Sequence, residues 1–137
     1  MIDYYSFGAS AAAFLIAFVA AGLFTIAFKI IFQATTPYNE KVLIRDGNTA
    51  AAITLGAALL GYVLPLASAL THTVTLVEFA VWAVLAGVIQ IVAALVVRRL
   101  VMRDIHDRIV RGDIAAATYM GSISLCVGIL NAACMTN

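Results

Sequence analysis

The sequence predicts an all-α integral membrane protein with four transmembrane helices, arranged as two tandem helical hairpins of parallel orientation. Hydrophobic residues make up 64% of its 137 positions and charged residues only 11%. A soluble domain of this size could not bury so much apolar surface. The charges are clustered, and four long apolar segments lie between the clusters, at residues 7–28, 49–70, 79–97 and 114–135.

Each apolar segment has the length and composition of a membrane span. About 20 helical residues, at 1.5 Å rise per residue, cross a hydrocarbon core about 30 Å thick. These segments are apolar on every side, whereas a helix of a soluble bundle carries one apolar stripe. The first is not expected to be a cleaved signal peptide, because MIDYYSF at the amino terminus contains no Lys or Arg.

The basic residues predict the orientation in the membrane. All eight lie at or after the end of the first segment, or between the third and the fourth. They are Lys29, Lys41, Arg45, Arg98, Arg99, Arg103, Arg108 and Arg111. Because cytoplasmic connections carry an excess of Lys and Arg, both basic segments are predicted to be cytoplasmic and both termini outside. This distribution marks topology and gives no support for nucleic-acid binding.

A shift of 65 residues (112 − 47) aligns the two halves of the chain without a gap. Gly47 then meets Gly112, the alanines at 50–52 meet those at 115–117, and Gly56 meets Gly121. The alignment predicts two units, residues 1–70 and 71–137, each with two spans and one basic connection. Two spans return the chain to its starting side, so both units share one orientation.

The two basic connections end in the same kind of junction. Gly47 and Gly112 can adopt the left-handed conformation that ends a helix. Asn48 and Asp113, which follow them, are expected to cap the helices that begin at residues 49 and 114. Thr49 is the first residue of its helix.

The two basic connections are predicted to differ in their helical structure. Thr36 and Pro37 interrupt the first one, so a short second helix is expected to start there. The third span is expected to continue beyond the membrane as one helix, because Val101, Ile105 and Ile109 share a helical face.

Small residues and a few polar ones mark the second and fourth spans. Small residues occur four positions apart, as in the pairs Ala57/Gly61 and Ser124/Gly128. Such spacing allows two helices to pack closely in lipid. Pro65 is expected to bend its helix. Together with Asn131, it forms either a small polar site facing outward or an ordinary bend and interhelical hydrogen bond.

The sequence offers no catalytic or metal site. His72 and His106 fall on opposite sides of the membrane, and no metal-binding motif or phosphate-binding loop is present. Cys126 and Cys134 are expected to be buried free thiols. Gln90 is the most polar residue deep in a span, and no span carries a central ionisable residue, so we expect neither a cofactor nor an ion-coupled pump.

Three stretches carry a family resemblance: TPYNE (36–40), GNTAAAITLGAALLGYVLPLASA (47–69) and GILNAACMTN (128–137). They resemble the small bacterial inner-membrane proteins of domain-of-unknown-function family 350, which typically hold two copies of a two-span unit. The resemblance implies that this chain's motif positions are Asn39, Glu40, Asn48, Thr49, Pro65, Asn131 and Cys134. It also implies a genomic context of flotillin/stomatin-like or phage-shock-like membrane-stress proteins and polyamine-ligase-like enzymes, but no activity.

Two functions are compatible with these observations. The first is a non-enzymatic, homo-oligomeric inner-membrane scaffold or partner in envelope maintenance, which presents its basic segments to anionic lipid or a cytoplasmic partner. The second is a small conduit for an ion or solute, lined by Thr25, Tyr62, Gln90 and Asn131. The sparse polar lining favours the scaffold.

Overall fold

The computed structural model describes residues 3–135, and within that range the chain is helical with no β-strand. The helices are α1 (Tyr4–Ala34), α2 (Glu40–Arg45), α3 (Thr49–His72), α4 (Leu76–Val96), α5 (Ile105–Val110) and α6 (Ile114–Cys134). Four of these, α1, α3, α6 and α4 with its extension to Val101, are long and apolar enough to cross a membrane. The predicted fold class, an all-α integral membrane protein with four spans, is confirmed.

Helices α3 and α6 form the centre of the bundle. At their closest approach, a methyl group added at Gly128 would overlap the backbone of Gly61. A methyl group at Gly121 would lie 2.9 Å from Cβ of Ala57. These glycines therefore allow α3 and α6 to pack closely within one chain.

The other two long helices lie outside this pair. Helix α4 buries Ala83, Ala86 and Gln90 against it. Helix α1 is the least covered, since Phe28 and Phe32 are its only buried residues. Their rings stack at 5.9 Å, and Phe28 also stacks on Tyr62 of α3 at 4.3 Å. Phe24 packs edge to face on Phe79 of α4 at 5.7 Å, whereas the amino-terminal part of α1 presents apolar side chains to the surroundings of the bundle.

The extension of α4 differs from the prediction of one continuous helix. After Val96 the backbone forms a π-helical turn, Val97–Val101, and then leaves the helix at Met102 with φ −140° and ψ 84°. A separate short helix, α5, follows. Ile105 and Ile109 are buried as expected, but Val101 is 56% exposed, because the break turns the later residues away from its face.

Both connections that contain the basic residues lie at one end of the bundle, which we call the basic end. The side chain of Arg98 reaches Thr35 there, and Asn48 reaches the carbonyl of Ile109. Cys134 and Met135 lie beside the α3–α4 loop at the opposite end. Met1 and Asn137, the termini of the predicted topology, lie outside the described residues.

Candidate functional site

The two glycine junctions are built alike. Gly47 and Gly112 have φ of 87° and 81°, in the left-handed region. Asn48 Oδ1 accepts from the amide of Ala51, and Asp113 Oδ1 accepts from that of Ala116. The structure thus places both predicted caps, while the division into two repeat units stays a prediction.

Asn48 also connects the two basic segments, which the sequence did not indicate. Its Nδ2 donates to the carbonyls of Ile109 (2.9 Å) and Val110 (3.2 Å), the last turn of α5. Those carbonyls lie at a helix end, where few backbone donors remain, although the Ile109 carbonyl also accepts from the amide of Gly112 at 3.0 Å. One side chain therefore starts α3 and holds α5 beside it. Thr49 begins α3 and is exposed.

The short helix α2 begins with the two motif residues Asn39 and Glu40. Asn39 Oδ1 caps the helix by accepting from the amide of Val42 at 3.3 Å. Glu40 is buried, and its Oε1 accepts a 2.6 Å hydrogen bond from the hydroxyl of Thr36. The helix therefore starts three residues after Pro37, at a carboxylate held inside the fold.

Arg98 departs from the prediction that it belongs to the exposed basic face, since it is only 5% exposed. Its Nη1 donates to the hydroxyl of Thr35 at 2.8 Å, and its guanidinium lies 4.9 Å from the ring centre of Phe32. Its Nη2 is buried and finds no hydrogen-bond partner among residues 3–135. The π-helical turn that follows α4 carries Arg98 back against the end of α1, which explains the burial.

Tyr38 and His106 complete the polar cluster at the basic end, and their rings meet edge to face at 5.7 Å. Burial raises the pKa of Tyr38 to about 12, so its hydroxyl stays protonated. Burial, reinforced by the charge of Arg98, lowers the pKa of His106. We call Thr35, Thr36, Tyr38, Glu40, Arg98 and His106 the basic-end cluster.

The remaining cations lie on the surface of the basic end. Arg108 donates to Asp104 at 2.7 Å and lies 3.8 Å from Asp113. The hydrogen bond from Arg108 lowers the pKa of Asp104. The exposed cations are Lys41, Arg45, Arg99, Arg103 and Arg111.

The polar side chains deep in the bundle join helices to one another. Gln90 Nε2 donates to the carbonyl of Ser124 (2.7 Å), and Asn131 Nδ2 donates to that of Ala86 (3.4 Å). The hydroxyl of Tyr62 donates to the carbonyl of Ala83 at 3.0 Å.

Thr25, predicted to line the conduit, and Pro65, predicted to belong to the polar site, both have structural roles within their own helices. Thr25 bonds back within its own helix, to the carbonyl of Ala21. Pro65 is buried in α3.

The prediction of buried cysteines is wrong, because Cys126 and Cys134 are both exposed free thiols. The small residues of α6, Gly121, Ser124 and Gly128, occupy its buried face, which leaves the cysteines on the outer side. Among residues 3–135, no group of His, Cys, Asp and Glu side chains could hold a metal ion.

Sequence reasoning missed Thr35, Thr36, Tyr38 and His106 as members of one cluster. One signal was available, because Arg98 follows the third apolar segment directly, where an arginine lies at the depth of the membrane surface. The pairing of that arginine with the end of α1 depends on the π-helical turn, which no residue pattern marks.

The fold and this cluster define a class, the multi-pass α-helical membrane proteins that gather their basic side chains at one end of the bundle. The family model described as Domain of Unknown Function (DUF350) matches residues 6–135. The chain therefore belongs to this family.

Two curated relatives support the same assignment. They are the proteins named "UPF0719 inner membrane protein YjfL" from Escherichia coli strain K12 and from Escherichia coli O157:H7. Each is 41% identical over 111 residues, which cover 81% of this chain and 83% of the relative. No solved structure gives a significant match.

Proposed function

We propose that this protein is a non-catalytic, homo-oligomeric scaffold of the bacterial inner membrane that serves envelope maintenance. Membership of a family whose curated relative is named an inner membrane protein supports the location. The basic end faces the cytoplasm in this proposal, as the positive-inside rule predicts.

The observation that carries the proposal is the exposure of α1. This helix has 31 residues and is anchored to the bundle through Phe28 and Phe32 near its end. Its outward face carries Gly8, Ala12 and Val19, and nothing lies within 4 Å of a methyl group built at Gly8. In lipid, uncovered small residues let a second helix approach closely. The occupant we propose is α1 of a second copy.

The basic end supplies the surface for a partner. Lys41, Arg45, Arg99, Arg103 and Arg111 are exposed there. Such a surface attracts anionic headgroups or an acidic segment of another protein. A flotillin/stomatin-like or phage-shock-like membrane protein is the partner class that we propose.

Cysteine cross-linking in native membranes tests the oligomer. In a C126A/C134A background, A12C places a thiol on the outward face of α1. L130C, on an exposed face of α6 near the same end of the bundle, is the matched control. We expect oxidation to convert A12C to dimer while L130C stays monomeric. Equal cross-linking of the two variants, or none at A12C, would contradict the proposal.

The conduit alternative rests on one observation, the buried Oε1 of Gln90, for which the described part of the chain supplies no hydrogen-bond partner. The bonds of Gln90, Tyr62 and Asn131 across helix contacts favour a closed bundle. We therefore expect reconstituted protein to pass no potassium, chloride or glycerol above the level of empty liposomes. Flux that disappears in Q90A would reverse this choice.

A further inference from the structure

Arg98 is a buried cation without an ionic partner. Within residues 3–135, no carboxylate lies within 4.0 Å of its guanidinium. Glu40 acts on it through space, but the hydrogen bond that Glu40 accepts comes from Thr36. An arginine in a protein does not lose its proton, and a buried charge that lacks a partner is costly. The described residues therefore leave Nη2 of Arg98 without a hydrogen-bond acceptor.

A pocket of about 350 Å³ lies at this guanidinium. Its walls are Thr35, Leu95, Arg98, Arg99, Arg103 and His106. Arg103 is oriented by a 3.1 Å hydrogen bond from its Nε to the carbonyl of Arg99. Besides the apolar Leu95, the wall carries three arginines, a hydroxyl and an imidazole, and no carboxylate, which is the chemistry that binds a phosphoryl group.

A separate apolar groove lies between α1 and α4, further along the same two helices. This second cavity, of about 260 Å³, is lined on one side by Phe24 and Ile31 and on the other by Val84, Val88 and Ile91. Thr35 follows Ile31 by one helical turn, and Arg98 follows Ile91 by two helical turns. The arginine-lined pocket and the apolar groove therefore lie about 10 Å apart along the same pair of helices.

We propose that these two neighbouring cavities together bind an anionic phospholipid, with its phosphoryl group at Arg98 and an acyl chain in the α1–α4 groove. A free phosphate ion offers the same charge but would leave the groove unused, and the groove is the reason to assign a lipid. Basic pockets between helices at the membrane surface are known binding places for anionic headgroups. The site is complete within one chain, so it does not depend on the proposed oligomer.

Native mass spectrometry of the full chain in detergent measures the binding, with phosphatidylglycerol, phosphatidylethanolamine and inorganic phosphate as separate probes. We expect phosphatidylglycerol to bind at least about tenfold more weakly to R98Q and to R103Q, since each loses a charge-assisted hydrogen bond. Arg103 is exposed, so R103Q keeps the test valid if R98Q does not fold. R111Q removes an exposed charge of the basic end outside the pocket and is expected to stay within about twofold of wild type.

A27F tests the groove separately, because Ala27 lines it and a larger side chain would fill it. We expect A27F to weaken phosphatidylglycerol binding and to leave inorganic phosphate unaffected. Three results would overturn the proposal. They are equal losses in R111Q and R103Q, no preference for phosphatidylglycerol over phosphatidylethanolamine, or inorganic phosphate that displaces the lipid from wild type and A27F alike.

Discussion

At the scale of single residues, Asn48 performs two tasks that Asp113 shares only in part. Both side chains cap a membrane-spanning helix, but Asn48 also donates to the carbonyls of Ile109 and Val110. Loss of a cap costs about 0.5–2 kcal/mol, and a hydrogen bond about 1 kcal/mol. We therefore expect N48A to lower the free energy of unfolding in detergent by more than D113A does.

N48D separates the two tasks, because aspartate keeps the capping oxygen and lacks the amide donor. We expect its stability, measured by circular dichroism during unfolding, to fall below that of wild type although the cap is retained. An N48D variant as stable as wild type would show that the contact with α5 contributes nothing.

His106 makes stability depend on pH. Burial and Arg98 lower its pKa below the ordinary 6.5, against smaller opposing effects of Asp107 and Glu40. Since the unfolded chain then takes up the proton first, stability is greatest above about pH 6.5 and falls as the pH drops through that value. The edge of the Tyr38 ring faces the same imidazole, but that phenol is neutral in this range.

Thermal unfolding between pH 5 and 8 measures this effect. We expect the midpoint of wild type to decrease toward pH 5 and that of H106Q to change less, because glutamine does not titrate. Parallel curves for the two proteins would mean that another group controls the acid sensitivity.

At the scale of helices, the approach of α3 and α6 depends on glycines that a methyl group would disrupt. Forced overpacking costs about 1–3 kcal/mol, so we expect G61A and G128A each to destabilise the bundle by that amount. Gly56, on the same helix as Gly61, has nothing within 4 Å of a built methyl group. G56A is the matched control, expected to be neutral or stabilising because alanine favours helix more than glycine does. A G56A variant as unstable as G61A would refute this account of the packing.

The helices could be predicted from the sequence where the chemistry is local. Apolar length set the spans, and the Gly-Asn and Gly-Asp pairs set the starts of α3 and α6, which begin at Thr49 and Ile114 as expected. The π-helical turn after Val96 could not be predicted, because it goes with the contact of Arg98 at the end of α1 and not with a residue pattern. The same limit applies to the basic-end cluster, whose members come from two distant parts of the chain, as in the contact of Arg98 with Thr35, 63 residues away.

At the scale of the whole molecule, both proposals depend on the position of the two basic connections. The two basic connections meet at one end of four apolar helices, and the α3–α4 loop with Met135 lies at the other. The proposed scaffold surface and the proposed lipid site both require that this basic end lies at the cytoplasmic surface, where anionic headgroups and basic residues are paired. The charge distribution predicts that placement from sequence alone, since the cost of moving cations across the bilayer acts on the chain before it folds.

Labelling of single cysteines in intact spheroplasts tests this central claim most directly. In a C126A/C134A background, V74C places a thiol in the α3–α4 loop, where Val74 is 95% exposed, and R103C places one at the basic end. We expect a membrane-impermeant maleimide to label V74C in intact spheroplasts and R103C only after the membrane is permeabilised. Labelling of R103C from outside, with V74C protected until permeabilisation, would contradict the account.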